Sequence, residues 1–454
     1  MANKSLLTYN AQVTAVEQVY FYPSAVLPYA TSINLGTLYC FLASTLPWED
    51  DNDPPVPTQD QKYIKQVFKN IFATKRITSG DISPVIQRVN WTTGTTYDYY
   101  RDDVDMLELN ENGDLIYNFY VKNRYDQVFK CLWNNNGGVS TSEPYFEPGS
   151  YGTNNIFQGG DGYKWKFIYT VDFGLKVNFM DDAWMPIPVG ANTPNPLQTS
   201  AGAGSIDVIN VINSGSGYDP ANAIVSISVT GDGYGATAVA NVSNGHINDI
   251  VVTSPGSNYT FAEVVITSAL GANAVAIAPA SPIGGHGYDP VSELGCRHIM
   301  ITSQFDGSEG NVLPTDNDFH QVGLLVNPTT ISAFPYPANG EIYRTTTDII
   351  VAPGFGVYTG DEFVYQGTLA NPTFTASVLS FNTSTNVLYL INTTGIITTN
   401  APIFGSSSKT TRTVLSYSTP DFAPFSGYMM VIENRSAVQR SVDGIEQFRF
   451  VLGF

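Results

Sequence analysis

Charged side chains are scarce in this chain, basic ones especially. Asp, Glu, Lys and Arg make up 13% of the 454 residues, against roughly 25% in an average soluble domain. Lys and Arg number 21 against 40 Asp and Glu, so the net charge is −19. Phosphate backbones and anionic lipids repel such a chain, and we therefore expect no direct contact with nucleic acid or with a membrane surface.

Long apolar segments are absent as well. The sequence has no stretch of 18 apolar residues and no charged-then-apolar leader, which predicts a soluble protein made in the cytoplasm. With so few ions, the polar surface must consist largely of Ser, Thr, Asn and Gly. These groups cost less to desolvate than ions when surfaces are buried against partners, so the composition suits an assembly protein.

Cysteine and histidine are too few and too scattered for a disulfide framework or a metal site. The three cysteines sit singly in apolar, strand-like surroundings, which predicts buried, reduced thiols. The four histidines lie in different segments and form no His-x-x-x-His pair. We therefore predict no metal and no cofactor. The residues concerned are Cys40, Cys131, Cys296, His246, His286, His298 and His320.

Catalytic signatures are weak throughout. The acidic run Glu49–Asp53 lacks the glycine and the distal glutamate of a calcium loop and precedes two prolines, so it is predicted to be a solvated loop. The glycine clusters at Gly231–Gly235 and Gly354–Gly356 precede β-type residues, without the helix that a phosphate site needs. Ser406–Lys409 has Ser-x-x-Lys spacing but no companion motif. We predict no catalytic residues and no enzyme activity.

What the sequence does contain is mostly β structure. Forty glycines and 27 prolines punctuate short runs of Val, Ile, Thr, Tyr and Phe, which predicts a mainly β fold, a β-rich α+β class, with several domains. One helix interrupts this pattern: Tyr63, Ile64, Val67, Phe68, Ile71 and Phe72 recur at helical spacing. Its other side is basic, through Lys62, Lys65 and Lys69. That side either docks on an acidic neighbour or is simply solvated.

The segment from residue 425 to 454 predicts two β-strands with a polar connection. Tyr428–Ile432 forms one apolar run, and Ile445–Leu452 alternates between two faces with the period of a half-buried strand. The connection carries four candidate contact residues, Glu433, Asn434, Arg435 and Arg440. The arginines either brace Glu433 or Asp443 within the chain or reach a neighbouring protein.

Two stretches of the sequence have residue patterns that differ from the rest of the chain. Residues 203–290 contain an internal repeat of Gly-Tyr corners, at Ser214–Tyr218, Pro255–Tyr259 and Gly284–Tyr288, and Gly235-Ala-Thr-Ala-Val-Ala echoes Gly271-Ala-Asn-Ala-Val-Ala. Residues 338–415 contain at least four short strands and predict a small barrel or sandwich. Proline-rich links precede both stretches, at Pro194–Pro196 and Phe334–Pro337.

The remaining segments resemble the baseplate wedge subunits of contractile-tailed bacteriophages, of the T-even gene-eight-product type. The match covers roughly residues 1–200, 296–334 and 416–454. It departs from the family at Val89 and Asn90, where a second Arg and an Asp often stand. The motifs that carry it are Leu46–Pro55, with Trp48, then Ile82–Trp91, Tyr125–Trp133, Gly159–Tyr169, Ala183–Pro188 and Phe425–Phe454.

The resemblance implies a structural protein of the virion, located in the tail baseplate and assembled in the host cytoplasm. It implies a homodimer that contacts other wedge proteins. We expect a discontinuous, β-sandwich-like core made of residues 1–200, 291–337 and 416–454, with two small β domains inserted at 203–290 and 338–415. A different reading makes the chain a carbohydrate-binding tail or receptor-binding accessory protein, with exposed Tyr and Asn of the insertions contacting glycans.

Overall fold

The fold comes from a computed structural model that describes residues 37–111, 113–147, 155–189, 202–331 and 338–454. Both proline-rich links and the first 36 residues of the expected core lie outside the described residues. The described chain forms two compact units. Unit 1 contains Ser83–Met300 and Leu452–Phe454, and unit 2 contains residues 37–82 and 301–451.

The described residues are mainly β, which confirms the predicted fold class. The strands up to residue 300 begin with β1 Leu38–Ala43, β2 Ile71–Ile77, β3 Ile82–Gln87, β4 Tyr120–Lys122, β5 Gln127–Trp133, β6 Ile156–Gln158, β7 Lys164–Thr170, β8 Trp184–Pro186, β9 Asn210–Ser216, β10 Ser226–Gly231, β11 Tyr234–Ser243, β12 His246–Ser257, β13 Ala262–Thr267 and β14 Ala272–Ile277.

Further strands and three short helices complete the described secondary structure. The strands are β15 His298–Asp306, β16 Asp318–Val326, β17 Ile342–Arg344, β18 Thr347–Val351, β19 Phe363–Thr368, β20 Asn371–Asn382, β21 Val387–Gly395, β22 Pro402–Gly405, β23 Thr411–Ser418, β24 Tyr428–Gln439 and β25 Ile445–Gly453. The helices are α1 Gln61–Asn70, α2 Phe173–Phe179 and α3 Pro290–Glu293, with a 3₁₀ turn at Ser79–Asp81.

Unit 2 is built on a five-stranded antiparallel sheet in the order β17-β2-β1-β16-β24. β1 is buried along its whole length, so both faces of the sheet are covered at this strand. Asp60 caps the N-terminus of helix α1, since its carboxylate accepts a hydrogen bond from the Tyr63 backbone N–H at 2.9 Å. The helical periodicity had suggested a helix reaching Phe72, but α1 ends at Asn70 and the chain turns directly into β2.

Residues 347–418 of unit 2 form a closed six-stranded barrel in the order β18-β21-β20-β19-β22-β23, with β23 pairing back to β18. The four strands predicted here are confirmed, and β22 and β23 were not foreseen. Its core consists of side chains that are almost fully buried: Ile349, Val351, Tyr358, Val364, Phe374, Ala376, Val378, Leu388, Leu390, Ile403 and Val414.

The two ends of the barrel segment lie side by side. Asp348 pairs with Ser418 across β18 and β23. Just outside the barrel, the Asp421 N–H donates to the Arg344 carbonyl oxygen, and the Asp421 carboxylate accepts the Arg344 N–H, both at 2.9 Å. A segment with adjoining ends can be inserted into a chain without separating the flanking strands.

Unit 1 contains a four-stranded sheet in the order β4-β5-β7-β6, covered by an aromatic core around the fully buried Trp165. The Gly-Asp-Gly-Tyr motif forms the turn before β7. There Gly162 has a φ of +82°, and the Asp161 carboxylate accepts the N–H groups of Thr141 at 2.7 Å and Ser142 at 2.9 Å. The motif therefore fixes a turn and its neighbouring loop, which accounts for its residue types.

The Gly-Tyr repeats of unit 1 form a module of two three-stranded copies, β9-β10-β11 and β12-β13-β14, that interlock by pairing β9 with β14, β10 with β13 and β11 with β12. We call residues 202–282 the repeat module. One tyrosine from each copy is buried in the core of the module. The hydroxyl of Tyr218 accepts the Ala274 N–H, and that of Tyr259 accepts the Ala236 N–H, both at 3.3 Å.

Two details of the predicted repeat need correction. A Cβ on Gly271 would lie 2.6 Å from the Tyr218 ring, and a Cβ on Gly233 would lie 2.4 Å from the Tyr259 ring. Gly271 therefore corresponds to Gly233, two residues before the Gly235 of the sequence echo. In the third corner, Tyr288 is 52% exposed and plugs no core.

The boundaries of the two compact units differ from those expected for a single core with two insertions. Residues 83–300, which include the repeat module, cluster as one unit, and the division at residue 83 falls inside the expected core segment 1–200. The expected core and insertions remain a prediction about which parts fold independently.

Candidate functional site

Three of the predicted contact residues, Trp48, Asn434 and Arg435, meet at a bulge in β24. Gln321 pairs with Asn434 and Phe319 with Val438, so the three residues from 435 to 437 face only His320 of β16. The extra residues cannot all pair with β16, and their backbone groups need other partners. We call residues 434–437 and the groups bonded to them the bulge site.

The acidic loop supplies these partners. The Trp48 indole N–H donates to the Arg435 carbonyl oxygen at 2.9 Å, and the Ala437 N–H donates to the Asp51 carboxylate at 3.0 Å. The Ser436 hydroxyl donates to the Asp51 carbonyl oxygen at 2.6 Å. The loop, predicted to be solvated, is thus fastened along an edge strand of the sheet and shields its unpaired groups.

Asn434 is the hub of the bulge site. Its side-chain oxygen accepts hydrogen bonds from the Tyr63 hydroxyl and the Gln321 amide, both at 2.8 Å, and its amide donates to the Pro55 carbonyl oxygen at 2.6 Å. Helix, acidic loop and β16 are therefore joined through one amide. The internal bonds show that Trp48 and Asn434 have a structural role in the isolated chain.

The basic side of α1 points outward. Lys62 and Lys65 are exposed and Lys69 is half-buried, while Val67 and Asn70 are buried. Within the described part of the chain, no ion pair involves these three lysines. They form a basic stripe of three charges on a chain of net charge −19. Such a stripe attracts an acidic surface.

Glu433 and Arg435 form an ion pair at 2.6 Å in which both side chains are partly exposed. The Arg435 guanidinium also lies 5.4 Å from the centre of the Phe448 ring. An exposed pair of this kind adds only about 0–1 kcal/mol to stability. Glu433 and Arg435 are therefore available to a partner at little cost to the fold.

Arg440 is buried, contrary to an interface role on an exposed surface. It is 1% exposed, and its guanidinium donates to the carbonyl oxygens of Pro314 at 3.0 Å and Gly307 at 2.5 Å. Its carboxylate partner is Glu446 at 3.4 Å, and neither Glu433 nor Asp443. Arg440 is an internal strut, the other role considered for it, with a different partner. Burial lowers the pKa of Arg440, and Glu446 opposes that shift.

A second group of charged residues, in unit 1, was not predicted. Three lysines, Lys130 of β5 and Lys164 and Lys166 of β7, point from the sheet toward carboxylates that lie after residue 200 in the sequence. We call them the lysine row. Lys130 and Lys166 are direct cross-strand partners. Their ion pairs are Lys130 with Glu293 at 2.9 Å, Lys164 with Asp249 at 2.8 Å and Lys166 with Asp207 at 2.7 Å.

The pair formed by Lys130 and Glu293 is the most deeply buried, with side-chain exposures of 2% and 3%. His286 lies in the same cluster, with Nδ1 2.8 Å from Glu293, and the Lys130 ammonium lies 3.8 Å from the centre of the Tyr100 ring. Burial opposes the charge of Glu293, but Lys130 and His286 hold its pKa far below the ordinary value. Burial lowers the pKa of both Lys130 and His286.

Breaking a buried pair is costly because it leaves one charge without a partner in a site of low polarity. The lysine row therefore ties the repeat module and α3 to the β5–β7 sheet of unit 1. A sequence signal existed in Lys164-x-Lys166, since alternate strand residues share a face. Two adjacent lysines on one strand face of an acidic chain predict carboxylate partners, although not which ones.

The described residues offer no metal-binding group of three or more His, Cys, Asp or Glu side chains. Cys40, Cys131 and Cys296 are free and buried, as predicted, and burial raises the pKa of Cys40 and Cys296 to about 12. Thiols held in the neutral form are poor nucleophiles and poor metal ligands. No described helix has the length and apolar character needed to cross a membrane.

Comparisons with known proteins add no assignment. No protein-family model matches the chain, and no curated protein matches it.

Proposed function

We propose that this protein is a structural subunit of a phage tail baseplate wedge that bridges neighbouring wedge proteins during contractile-tail assembly. The proposal rests on the resemblance of its sequence motifs to that family. It is supported by one observation above all: the family-like loop at Pro47–Pro55 and the family-like segment at Tyr428–Arg435 meet at the bulge site. Motifs so far apart in sequence that bond to one another belong to one structural element.

The basic stripe on α1 is the surface we assign to an acidic wedge partner. α1 is held to the bulge site through Tyr63, so the basic stripe and the partly exposed pair of Glu433 and Arg435 belong to the same part of unit 2. Charge complementarity on this scale accelerates association and sets orientation more than it adds affinity.

A phage lacking this protein tests the proposal. Complementation with the wild-type chain should restore tails with intact baseplates in electron micrographs, and antibodies against the chain should label the baseplate. The triple variant Lys62→Glu, Lys65→Glu, Lys69→Glu should be soluble yet assemble poorly. Lys409→Glu, at an exposed lysine of the barrel, is the matched control. Normal baseplates in the absence of the protein would refute the proposal.

Self-association is part of the proposal, since C₂ dimers are the commonest closed assembly. β24 is an edge strand of its sheet, and apolar side chains near it are exposed, among them Met430, Val442 and Ile445. Sedimentation at micromolar concentration should show a species near twice 49.3 kDa. If sedimentation shows only a monomer at every concentration, the chain does not dimerise by itself, and any dimer would form only in the assembled tail.

A further inference from the structure

Unit 1 contains an open cleft of about 820 Å³ between the loop at residues 99–103 and the repeat module. Tyr99 stands on one wall and Phe261 on the other. The apolar residues of the lining include Ile212, Ala276 and Pro279. Its size lies in the range of small-molecule sites, which is roughly 300–1,000 Å³.

The loop wall of the cleft is fixed in place. The Tyr100 hydroxyl donates to the Ala280 carbonyl oxygen at 3.2 Å, and the Asp102 carboxylate accepts the Ala280 N–H at 2.8 Å. Tyr99 packs edge-on against Trp133, with ring centres 5.0 Å apart. A wall held by hydrogen bonds and ring packing needs little ordering when a ligand binds.

The opposite wall is fixed too. Phe261 is 55% exposed, so packing holds its ring only in part. Here the Asp232 carboxylate accepts the N–H groups of Thr260 at 2.9 Å and Phe261 at 3.3 Å. The backbone that carries the ring is thereby held at the rim of the cleft.

The charge of the cleft is negative. Arg101 is the one basic residue of the lining, and Asp103 already engages it through two hydrogen bonds at 2.9 and 2.8 Å. Glu263 is exposed on the other wall, and within the described residues no ion pair reaches it. The cleft therefore presents carboxylate oxygens as acceptors and no unengaged cation.

From this arrangement we infer that the cleft binds a neutral or amino-bearing oligosaccharide of about two or three sugar rings. The C–H face of a pyranose is weakly positive and packs on the negative face of an aromatic ring, so Tyr99 and Phe261 would hold sugar rings. Carboxylates accept hydrogen bonds from hydroxyl and ammonium groups. Acidic sugars are repelled by the net negative charge of the lining, in which one arginine faces three carboxylates. The inference is independent of the proposed wedge function and involves no reaction.

Ligand-observed NMR titration of the full-length protein with three trisaccharides tests this inference. Chitotriose is the neutral probe, its fully deacetylated form is the cationic probe, and trigalacturonate is the acidic probe. We expect the first two to bind with Kd values below about 10 mM and trigalacturonate to bind at least roughly tenfold more weakly.

Two variants identify the cleft as the site of binding. Phe261→Ala removes an exposed ring and should weaken binding of chitotriose about tenfold. Glu263→Gln keeps a hydrogen-bond acceptor but removes the charge, so it should weaken the cationic probe more than the neutral one. Phe355→Ala removes a 99% exposed ring elsewhere in the chain and is the matched control.

Three outcomes would overturn the inference: no binding of either expected probe at about 10 mM, equal binding of trigalacturonate, or unchanged chitotriose binding by Phe261→Ala. Circular dichroism of each variant, compared with wild type, separates loss of binding from loss of fold. Failure here would leave the wedge proposal untouched, because baseplate assembly is measured separately.

Discussion

The repeat module and the six-stranded barrel contain the same number of strands but are stabilised in different ways. The barrel is closed by hydrogen bonds around its whole circumference and encloses large aliphatic and aromatic side chains. The repeat module divides its strands between a four-stranded sheet and a two-stranded ribbon. Around its buried centre, many of its packing residues are alanines and valines that remain half-buried.

The difference shows where each module obtains its stability. Fully burying one large aliphatic side chain contributes roughly 1.5–3 kcal/mol, so the barrel has an adequate core of its own. Alanines contribute little, and the repeat module instead carries Asp207 and Asp249, whose partners lie on the β5–β7 sheet. Small side chains allow strands to interlock closely, but the module then relies on its attachment to the sheet.

Separating the two modules from the chain should give opposite results. Residues 345–420 expressed alone should fold and melt cooperatively by circular dichroism, because the barrel core is internal and its ends adjoin. Residues 202–282, the repeat module expressed alone, should lack a cooperative transition, because Asp207 and Asp249 would lose their lysine partners. A cooperative melt of the isolated repeat module would show that the ion pairs are dispensable.

Breaking one ion pair of the lysine row should produce the next largest effect. Lys130→Met leaves Glu293 and His286 buried without the ammonium, and we expect a loss of about 3–5 kcal/mol in the free energy of unfolding of unit 1. Lys176→Met removes a partly exposed pair with Asp126 and should cost less than about 1 kcal/mol. Urea titration followed by tryptophan fluorescence provides the measurement. Equal losses of unfolding free energy for the two variants would show that burial does not determine what an ion pair contributes.

Truncating a core side chain should affect the barrel more than the repeat module. Leu390→Ala removes a fully buried side chain and should cost about 2–5 kcal/mol. Val264→Ala removes a half-buried one and should cost about 1 kcal/mol. Thermal unfolding monitored by hydrogen exchange and mass spectrometry can assign each loss to its module. A larger loss for Val264→Ala would mean that the repeat module is packed more tightly than its exposure indicates.

Acid should weaken the two modules unequally. Lys166 holds the pKa of Asp207, in the repeat module, below its ordinary value against the effect of burial, and Lys130 does so for Glu293 of α3, which lies just after the module. The stability that these carboxylates contribute is complete above about pH 4.5 and is lost as the pH falls.

In the barrel region, burial raises the pKa of Asp348 and Asp361, so their contribution grows as the pH falls. Backbone N–H groups lower the pKa of Glu362 against burial, which offsets part of this gain. Hydrogen exchange at pH 7 and pH 4, corrected for intrinsic rates, should show opening of the repeat module before the barrel. The reverse order would contradict the assigned shifts.

Local patterns in the sequence were sufficient to identify elements but not their partners. Alternation in Ile445–Leu452 predicts a strand with one buried face, and Phe448 and Phe450 are buried as that pattern requires. The helix boundary was missed because Ile71 and Phe72 continue the helical spacing while starting a buried strand. Periodicity does not distinguish these two uses of apolar residues.

The candidate site was predictable only in part, for a physical reason. Trp48 and Asn434 stood out by motif, but the bonds they make, to Arg435 and Pro55, depend on a bulge opposite His320, which arises from the register of two strands. Register is a property of paired strands and is not encoded in either segment alone. The same holds for the lysine row, whose carboxylate partners lie in loops and strands with no distinguishing local pattern.

The order of strands in the five-stranded sheet has a consequence for synthesis on the ribosome. β1 and β2 are made early, β16 much later, and β24 last among the strands of that sheet, with the whole barrel translated between β16 and β24. The barrel can close as soon as its own residues emerge, since all its pairings are internal. Until β24 arrives, however, β16 presents an open edge that other chains could pair with. Pairing of β24 therefore covers the edge of β16, and the acidic loop bonds part of the new edge that β24 forms.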